Sequence, residues 1–211
     1  MQYWLQELGL GGVILLGGSA GELALRSQQL QDWAKIPSTT LHTAARILQD
    51  SQLVGGSLPL SLDPTDKHTR QLCNLIVVDD LLTCDFLGGN APAVTIPQKL
   101  GYELQLVDCH TPKLLKEVDH PIASRATLVQ LFLRGNPFRG STGLLPAAEQ
   151  WFKTLLRNNN LQALIIYGSP YALEQLLPDL PPTTPYVFSY GQMPQAQAIA
   201  LEVLFRNHSP D

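Results

Sequence analysis

The residues with chemical potential in this chain stand where apolar runs stop. Asp79 and Asp80 follow Leu72–Val78, Asp108 follows Tyr102–Val107, Arg134 and Asn136 follow residues 128–133 with Arg139 close behind, and Ser169 follows residues 161–167. Carboxylates accept hydrogen bonds from the hydroxyls of a polar ligand, and guanidinium groups pair with carboxylates or grip a ligand oxygen. Asp, Asn and Ser are also the residues that cap helices and close turns. Taken singly, each of these is read as a cap or turn residue, and Ser169-Pro170 is an N-cap followed by proline at the first helical position. The two arginines have no such simple role, although at least one is expected in a structural Arg–Asp pair.

Two other constellations invite a chemical reading. Gly17-Gly18-Ser19-Ala20-Gly21 contains the G-x-S-x-G pattern that holds a serine nucleophile in α/β-hydrolases, with Asp108 and His208 later in the chain as acid and base. That elbow normally follows several strands, whereas about one precedes it here. A Gly-rich βα turn with Ser19 near the helix N-cap is therefore preferred, and the glycine spacing fits neither the dinucleotide nor the P-loop pattern. Cys109-His110 is the one place where two soft ligands adjoin, but neighbours on a strand point to opposite faces, so the pair is read as structural. The three cysteines, Cys73, Cys84 and Cys109, show no Cys-x-x-Cys pairing and are expected as reduced thiols. No cofactor or metal is called for.

The elements that position these residues are organised around residues 127–140, TLVQLFLRGNPFRG. Both faces of its first half are mostly apolar, as in a central strand covered by helices on both sides, and Asn136-Pro137 then forces a turn. Five strand candidates, residues 72–78, 102–107, 128–133, 161–167 and 186–190, alternate with helical patterns at 92–100, 146–157, 171–177 and 193–205. This order predicts an α/β fold: an open, mainly parallel five-stranded sheet with helices on both faces, a flavodoxin-like sandwich, preceded by one extra βα unit near the start of the chain. Right-handed crossovers bring all five strand ends to one edge, where open sheets collect ligands.

With 211 residues, 45% hydrophobic and 15% charged, the chain can bury a full core. A net charge of −4 and the absence of a basic stripe give no reason to expect nucleic acid. Apolar runs such as residues 11–16 are too short to span a bilayer, and Met1 is not followed by a leader pattern, so a cytoplasmic protein without membrane contact is expected.

Paired acids after a first strand resemble a response-regulator receiver. Arg134-Gly135-Asn136 and Ser189-Tyr190-Gly191 stand where that chemistry needs an aspartate and a lysine, so only the fold analogy is kept. A broader similarity is carried by LVQLFLRGNPFRG, LIIYGSPYALEQL and YVFSYGQMPQAQAIALEVLF, which resemble the second domain of glycoside hydrolase family 3, the family of bacterial β-N-acetylglucosaminidases and β-glucosidases. ELGLGGVILLGGSAGELALRSQQLQDWAKIP is similar to an early βα unit of that family's barrel. The acidic, glycine-containing strand that follows in the family is missing after Pro37. The resemblance thus implies three parts: residues 1–37 as a remnant βα unit of a (β/α)₈ barrel, 38–70 as helix and linker, and 71–211 as the C-terminal α/β domain.

The resemblance implies retaining hydrolysis of terminal β-linked sugars by an aspartate nucleophile on a late barrel strand. No segment here matches that strand. Lys67-His68 continues as Thr69-Arg70 and does not carry the family's histidine motif, and Glu103, Glu149 and Glu174 are acid/base candidates by residue type alone, the latter two expected on solvated helix faces. The expectation is a truncated family member without independent catalysis, with Asp79, Asp80, Asp108, Arg134, Asn136, Arg139 and Ser169 as ligand-binding candidates. Its partners would be a barrel domain, a second copy of itself or a separate chain, or a β-linked sugar. The alternatives are a hydrolase using second-domain carboxylates and a serine hydrolase through Ser19.

Overall fold

A computed structural model describes residues 45–60, 72–81, 84–108, 110–111, 124–133 and 146–205. The expected βα unit of residues 1–37, the Ser19 turn, Lys67-His68, Cys109, Arg134, Asn136, Arg139 and His208 lie outside these residues. The chain divides into two compact units, Met1–Arg46 and Ile47–Asp211, and the architecture below is that of the second.

Its sheet is built from β1 (Leu53–Gly55), β2 (Leu72–Val78), β3 (Tyr102–Val107), β4 (Ala126–Leu133), β5 (Leu161–Gly168) and β6 (Tyr186–Ser189). The order is β1-β6-β5-β4-β2-β3. The five expected strands are all parallel to one another, and their ends fall within two residues of the expected limits. β1 is the addition. It lies antiparallel on β6, with Val54 opposite Val187, and so makes a sixth strand. The sequence placed this stretch in the helix and linker of residues 38–70, because Gly55-Gly56 interrupts any strand period. Gly56 does turn, with φ +77, and a Cβ there would lie 2.1 Å from the Thr184 carbonyl oxygen.

The burial of each strand follows from its place. β2 and β4 are interior strands; β2 (LCNLIVV) is buried along its whole length, as a parallel strand covered on both faces must be. β3 is an edge strand, and Glu103 and Leu104 face solvent, with Glu103 paired to Arg125.

The helices α1 (Pro92–Lys99), α2 (Pro146–Arg157), α3 (Pro170–Leu176) and α4 (Pro194–Phe205) divide between the two faces. On one face Ala93 and Val94 of α1 and Ala200, Leu201 and Leu204 of α4 pack on Ile76, Leu128, Phe132, Ile165 and Val187. On the other, Trp151, Phe152 and Leu155 of α2 and Ala172, Leu173 and Leu176 of α3 pack on Leu75, Val129, Leu131, Ile166 and Phe188. In α2 the buried residues recur at helical spacing while Glu149, Lys153 and Arg157 face water, the first two joined as an i,i+4 pair. Near its exit the fold is closed again by the Leu60 amide, which donates to the Leu204 carbonyl at 2.8 Å. No helix among the described residues is long and apolar enough to cross a membrane.

Candidate functional site

The crossovers fix where a site can form. α1, between β2 and β3, lies on one face, and α2, between β4 and β5, lies on the other. The chain therefore winds in opposite directions from β2 and from β4, and the crevice outside their carboxyl ends is the sheet's topological switch point. Val78 pairs with Phe132 and Leu133 with Gly168, so the ends of β2, β4 and β5 are level. Asp79 and Asp80 leave one side of this crevice and Ser169 leaves the other, separated by two strand spacings, roughly 10 Å.

Asp79 is exposed at the end of β2, and Asp80 is half-buried beside it. One strand over, Asp108 closes a tight turn after β3. Its backbone N–H donates to Thr111 Oγ1 at 2.8 Å, and the Thr111 hydroxyl returns the bond to Asp108 Oδ1 at 2.9 Å. The His110 backbone N–H donates to the same carboxylate oxygen at 3.0 Å. Burial pushes the Asp108 carboxyl up, but bonds from the Thr111 hydroxyl and the backbone of Leu81 and His110, with the charge of His110, hold it below the usual carboxylate range. This turn also carries the imidazole of His110, whose Nε2 lies 3.6 Å from Asp80 Oδ1. The structure thus brings Asp80 and Asp108 together around His110, a residue that sequence reading treated only as a neighbour of Cys109. The signal was its place two residues after a strand-terminal aspartate.

Ser169 stands at the N-cap of α3 with extended backbone, φ −87 and ψ 118, and Pro170 occupies the first helical position as expected. The expected capping bond is not made. Its side chain gives none to the helix, and the residue is buried at 8% exposure. The preceding Gly168 is at φ +107, and a Cβ there would lie 2.3 Å from the Leu133 carbonyl oxygen, so the β5 turn tolerates no side chain.

Beneath the edge lies a polar arrangement that the apolar pattern hid. Gln130 Nε2 donates to Asn74 Oδ1 and to the Ala93 carbonyl, both at 2.7 Å, and the Tyr167 hydroxyl donates to Gln130 Oε1 at 3.1 Å. Asn74 Nδ2 also donates to the Ala93 carbonyl at 2.9 Å. The Ala93 N–H, an orphan donor of the first turn of α1, is satisfied by Gln197 Oε1 at 3.1 Å. Gln197 Nε2 donates to the Phe86 carbonyl at 3.1 Å and the Gln192 carbonyl at 2.8 Å, and Gln192 Nε2 donates to the Tyr167 carbonyl at 3.1 Å. Ala93, Gln197, Gln192, Tyr167 and Gln130 thus form a closed ring of hydrogen bonds that joins β4, β5, α1, α4 and the loop after β6, with Asn74 of β2 bonded to it. Asn74 and Gln130 interrupt otherwise apolar strands, which was the readable sign of it.

The acid/base candidates lie elsewhere. Glu103 is near the amino end of β3, opposite the switch-point edge, and Glu149 and Glu174 are exposed on α2 and α3. Among the described residues no group of three or more His, Cys, Asp or Glu is arranged to hold a metal ion.

Residues 65–206 match the family described as the bacterial glycosyl hydrolase family 3 C-terminal domain, which is more than half of the chain. The chain belongs to this family. Among solved structures it is similar to a glycoside hydrolase family 3 β-N-acetylglucosaminidase from Paenibacillus sp. str. FPU-7, with TM-score 0.53 and 13% identity over 95% of this chain and 35% of that one. A fungal multi-domain family 3 β-N-acetylglucosaminidase gives TM-score 0.55 and 13% identity over 89% of this chain and 21% of that one. The β-glucoside phosphorylase BglX bound to 2FGlc gives 0.52 and 12% over 86% and 30%. At such identities the likeness is one of fold, and the chain spans about a third or less of the length of each. A search of curated proteins returned no match. The family 3 C-terminal fold therefore accounts for the parallel sandwich.

Proposed function

We propose that this chain is a truncated glycoside hydrolase family 3 protein whose own residues bind rather than cleave. The barrel's contribution in this reading is the single βα unit of residues 1–37. The ligand site is the switch-point edge, with Asp79, Asp80 and Asp108 on the β2 and β3 side, Arg134, Asn136 and Arg139 following β4, and Ser169 on the β5 side. Its occupant is a β-linked sugar of the N-acetylglucosamine or glucose type, the class named in the similar structures, or a barrel domain that presents one.

The observation that carries this reading is the grouping of Asp80, Asp108 and His110 at the open edge. Carboxylates at an open edge accept hydrogen bonds from the hydroxyls of a polar ligand. Against independent catalysis stands the need of a retaining glycosidase for two carboxyl groups about 5 Å apart across the scissile bond, one of which the family takes from its barrel. The glutamates available by type are at the amino end of β3 and on outer helix surfaces.

The test has two arms. The purified chain, at high concentration, is assayed on chromogenic N-acetyl-β-glucosaminide and β-glucoside beside a full-length family member; turnover that co-purifies with the chain overturns the non-catalytic reading. N-acetylglucosamine and glucose disaccharides are then titrated while backbone amide resonances are followed. Shifts at Asp79–Leu81 and Asp108–Thr111 that are lost in the Asp80→Asn variant support sugar binding. Unmoved resonances at saturating sugar remove the sugar and leave the barrel domain as the occupant.

A further inference from the structure

The hydrogen-bonded ring under the edge contains one side chain with an unusual reach. Gln197 is fully buried, at 0% exposure, and uses all three bonds described above to hold backbone atoms of separate segments: Phe86 in the segment after β2, Ala93 at the start of α1, and Gln192 in the loop after β6. β2 and β6 are three strands apart, roughly 14 Å, too far for their loops to be joined through the sheet alone. They are joined because α1 and α4 pack on the same face and Gln197 projects from α4 at their meeting.

The two segments carry the chemically distinct parts of the rim. The β2 segment begins with Asp79 and Asp80. The β6 loop carries Tyr190 and Met193, exposed at 55% and 56%, between which Gln192 is tied to the end of β5. Each segment has its own internal bonds, Leu87 N–H to the Cys84 carbonyl at 3.2 Å and Ala91 N–H to the Gly88 carbonyl at 2.8 Å on one side, Gln197 N–H to the Met193 carbonyl at 3.1 Å on the other. Release of Gln197 strands a donor at Ala93 and acceptors at Phe86 and Gln192 at once. Because a buried unpaired polar group is costly, partial release is disfavoured and the three let go together.

We propose that Gln197 makes the segment after β2 and the loop after β6 a single cooperative unit, so that the two rims of the carboxyl edge open and close together. A ligand or partner engaging the Tyr190 and Met193 side then orders the Asp79 and Asp80 side without touching it. This coupling goes beyond the binding reading above and stands independently of which ligand the edge takes.

Native-state amide hydrogen exchange on the full chain tests it. In the unaltered protein, Leu87, Ala91 and Gln197 amides should share one opening equilibrium with one urea dependence, shallower than that of the β2 and β4 amides. The Gln192→Ala variant removes only the side chain that ties the β6 loop to Tyr167. It should lower protection at Leu87 and Ala91 by the same factor as at Gln197, roughly 10-fold for one lost bond. Gln197→Met should do the same to a greater extent. Different urea dependences for the two segments in the unaltered protein overturn the proposal. So does exchange of both only by global unfolding, or a Gln192→Ala effect confined to the β6 loop.

Discussion

Gln130 is a polar side chain in the middle of the central strand, and its replacement by methionine tests the hydrogen-bonded ring directly. Methionine matches its length and leaves the strand in place, but removes the donor to Asn74 Oδ1 and the acceptor for the Tyr167 hydroxyl. The Ala93 carbonyl keeps its bond from Asn74 Nδ2. Two buried groups therefore lose their bonds within the ring, at about 1–3 kcal/mol each, so a loss of about 3 kcal/mol is expected after the gain from the apolar side chain. Tyr167→Phe alone should cost about 1–2 kcal/mol, because it deprives Gln130 Oε1 of its donor while the ring keeps its stacking on Phe132 at 4.5 Å. In the Gln130→Met background the same Tyr167→Phe change should cost nothing or stabilise, since the hydroxyl has already lost this acceptor. Urea unfolding followed by circular dichroism gives all four stabilities, and the coupling should be at least about 1 kcal/mol. Additive costs, or a neutral Gln130→Met, would refute the argument that the polar groups under the edge satisfy one another.

Three further outcomes follow from the same structure. Gly168→Ala should cost at least about 2 kcal/mol in the same unfolding assay, because the new Cβ meets the Leu133 backbone carbonyl of the central strand and the backbone is held at positive φ. Alkaline pH should destabilise the fold. Burial pushes the Cys73 thiol to about 11, against a smaller lowering by Arg125 and Thr127, and burial also pushes Tyr102 and Tyr167 up. The protonated forms are favoured in the folded state, so this stability is whole below the ordinary thiol value of 9.0 and is lost as pH rises towards and beyond 11. Urea midpoints measured from neutral to alkaline pH check this, and Cys73 should resist thiol reagents in the folded protein. Asp108 behaves oppositely: its lowered carboxyl contributes stability above the usual carboxylate range that disappears as pH falls through its folded value. A carboxyl-carbon titration should place Asp108 below an ordinary aspartate, and Thr111→Val should bring it back towards that range.

The parallel sandwich could be read from residues 72–205 because buried parallel strands announce themselves as unbroken apolar runs bounded by turn residues, and α2 by its amphipathic spacing. β1 could not, since three residues ending in Gly55 carry no period and their strand character comes entirely from pairing with β6, far away in sequence. For the edge, residue type and strand termini placed Asp79, Asp80, Asp108 and Ser169 correctly along the carboxyl ends. Which of them meet depends on strand order, and strand order is a property of crossovers: Asp80 and Asp108 are neighbours because β3 lies beside β2 rather than beside β4. His110 and Gln197 escaped for the same reason. Each acts through backbone or side-chain atoms brought near by topology, and neither belongs to a spacing pattern that a linear reading can detect.

The antiparallel seat of β1 on β6 and the bond from Leu60 to Leu204 put the beginning and the end of this body side by side. A unit whose two chain ends meet has only a small footprint on whatever it is attached to. It can be carried between flanking segments without forcing them apart, with its far edge, β3, on the opposite side of the sheet.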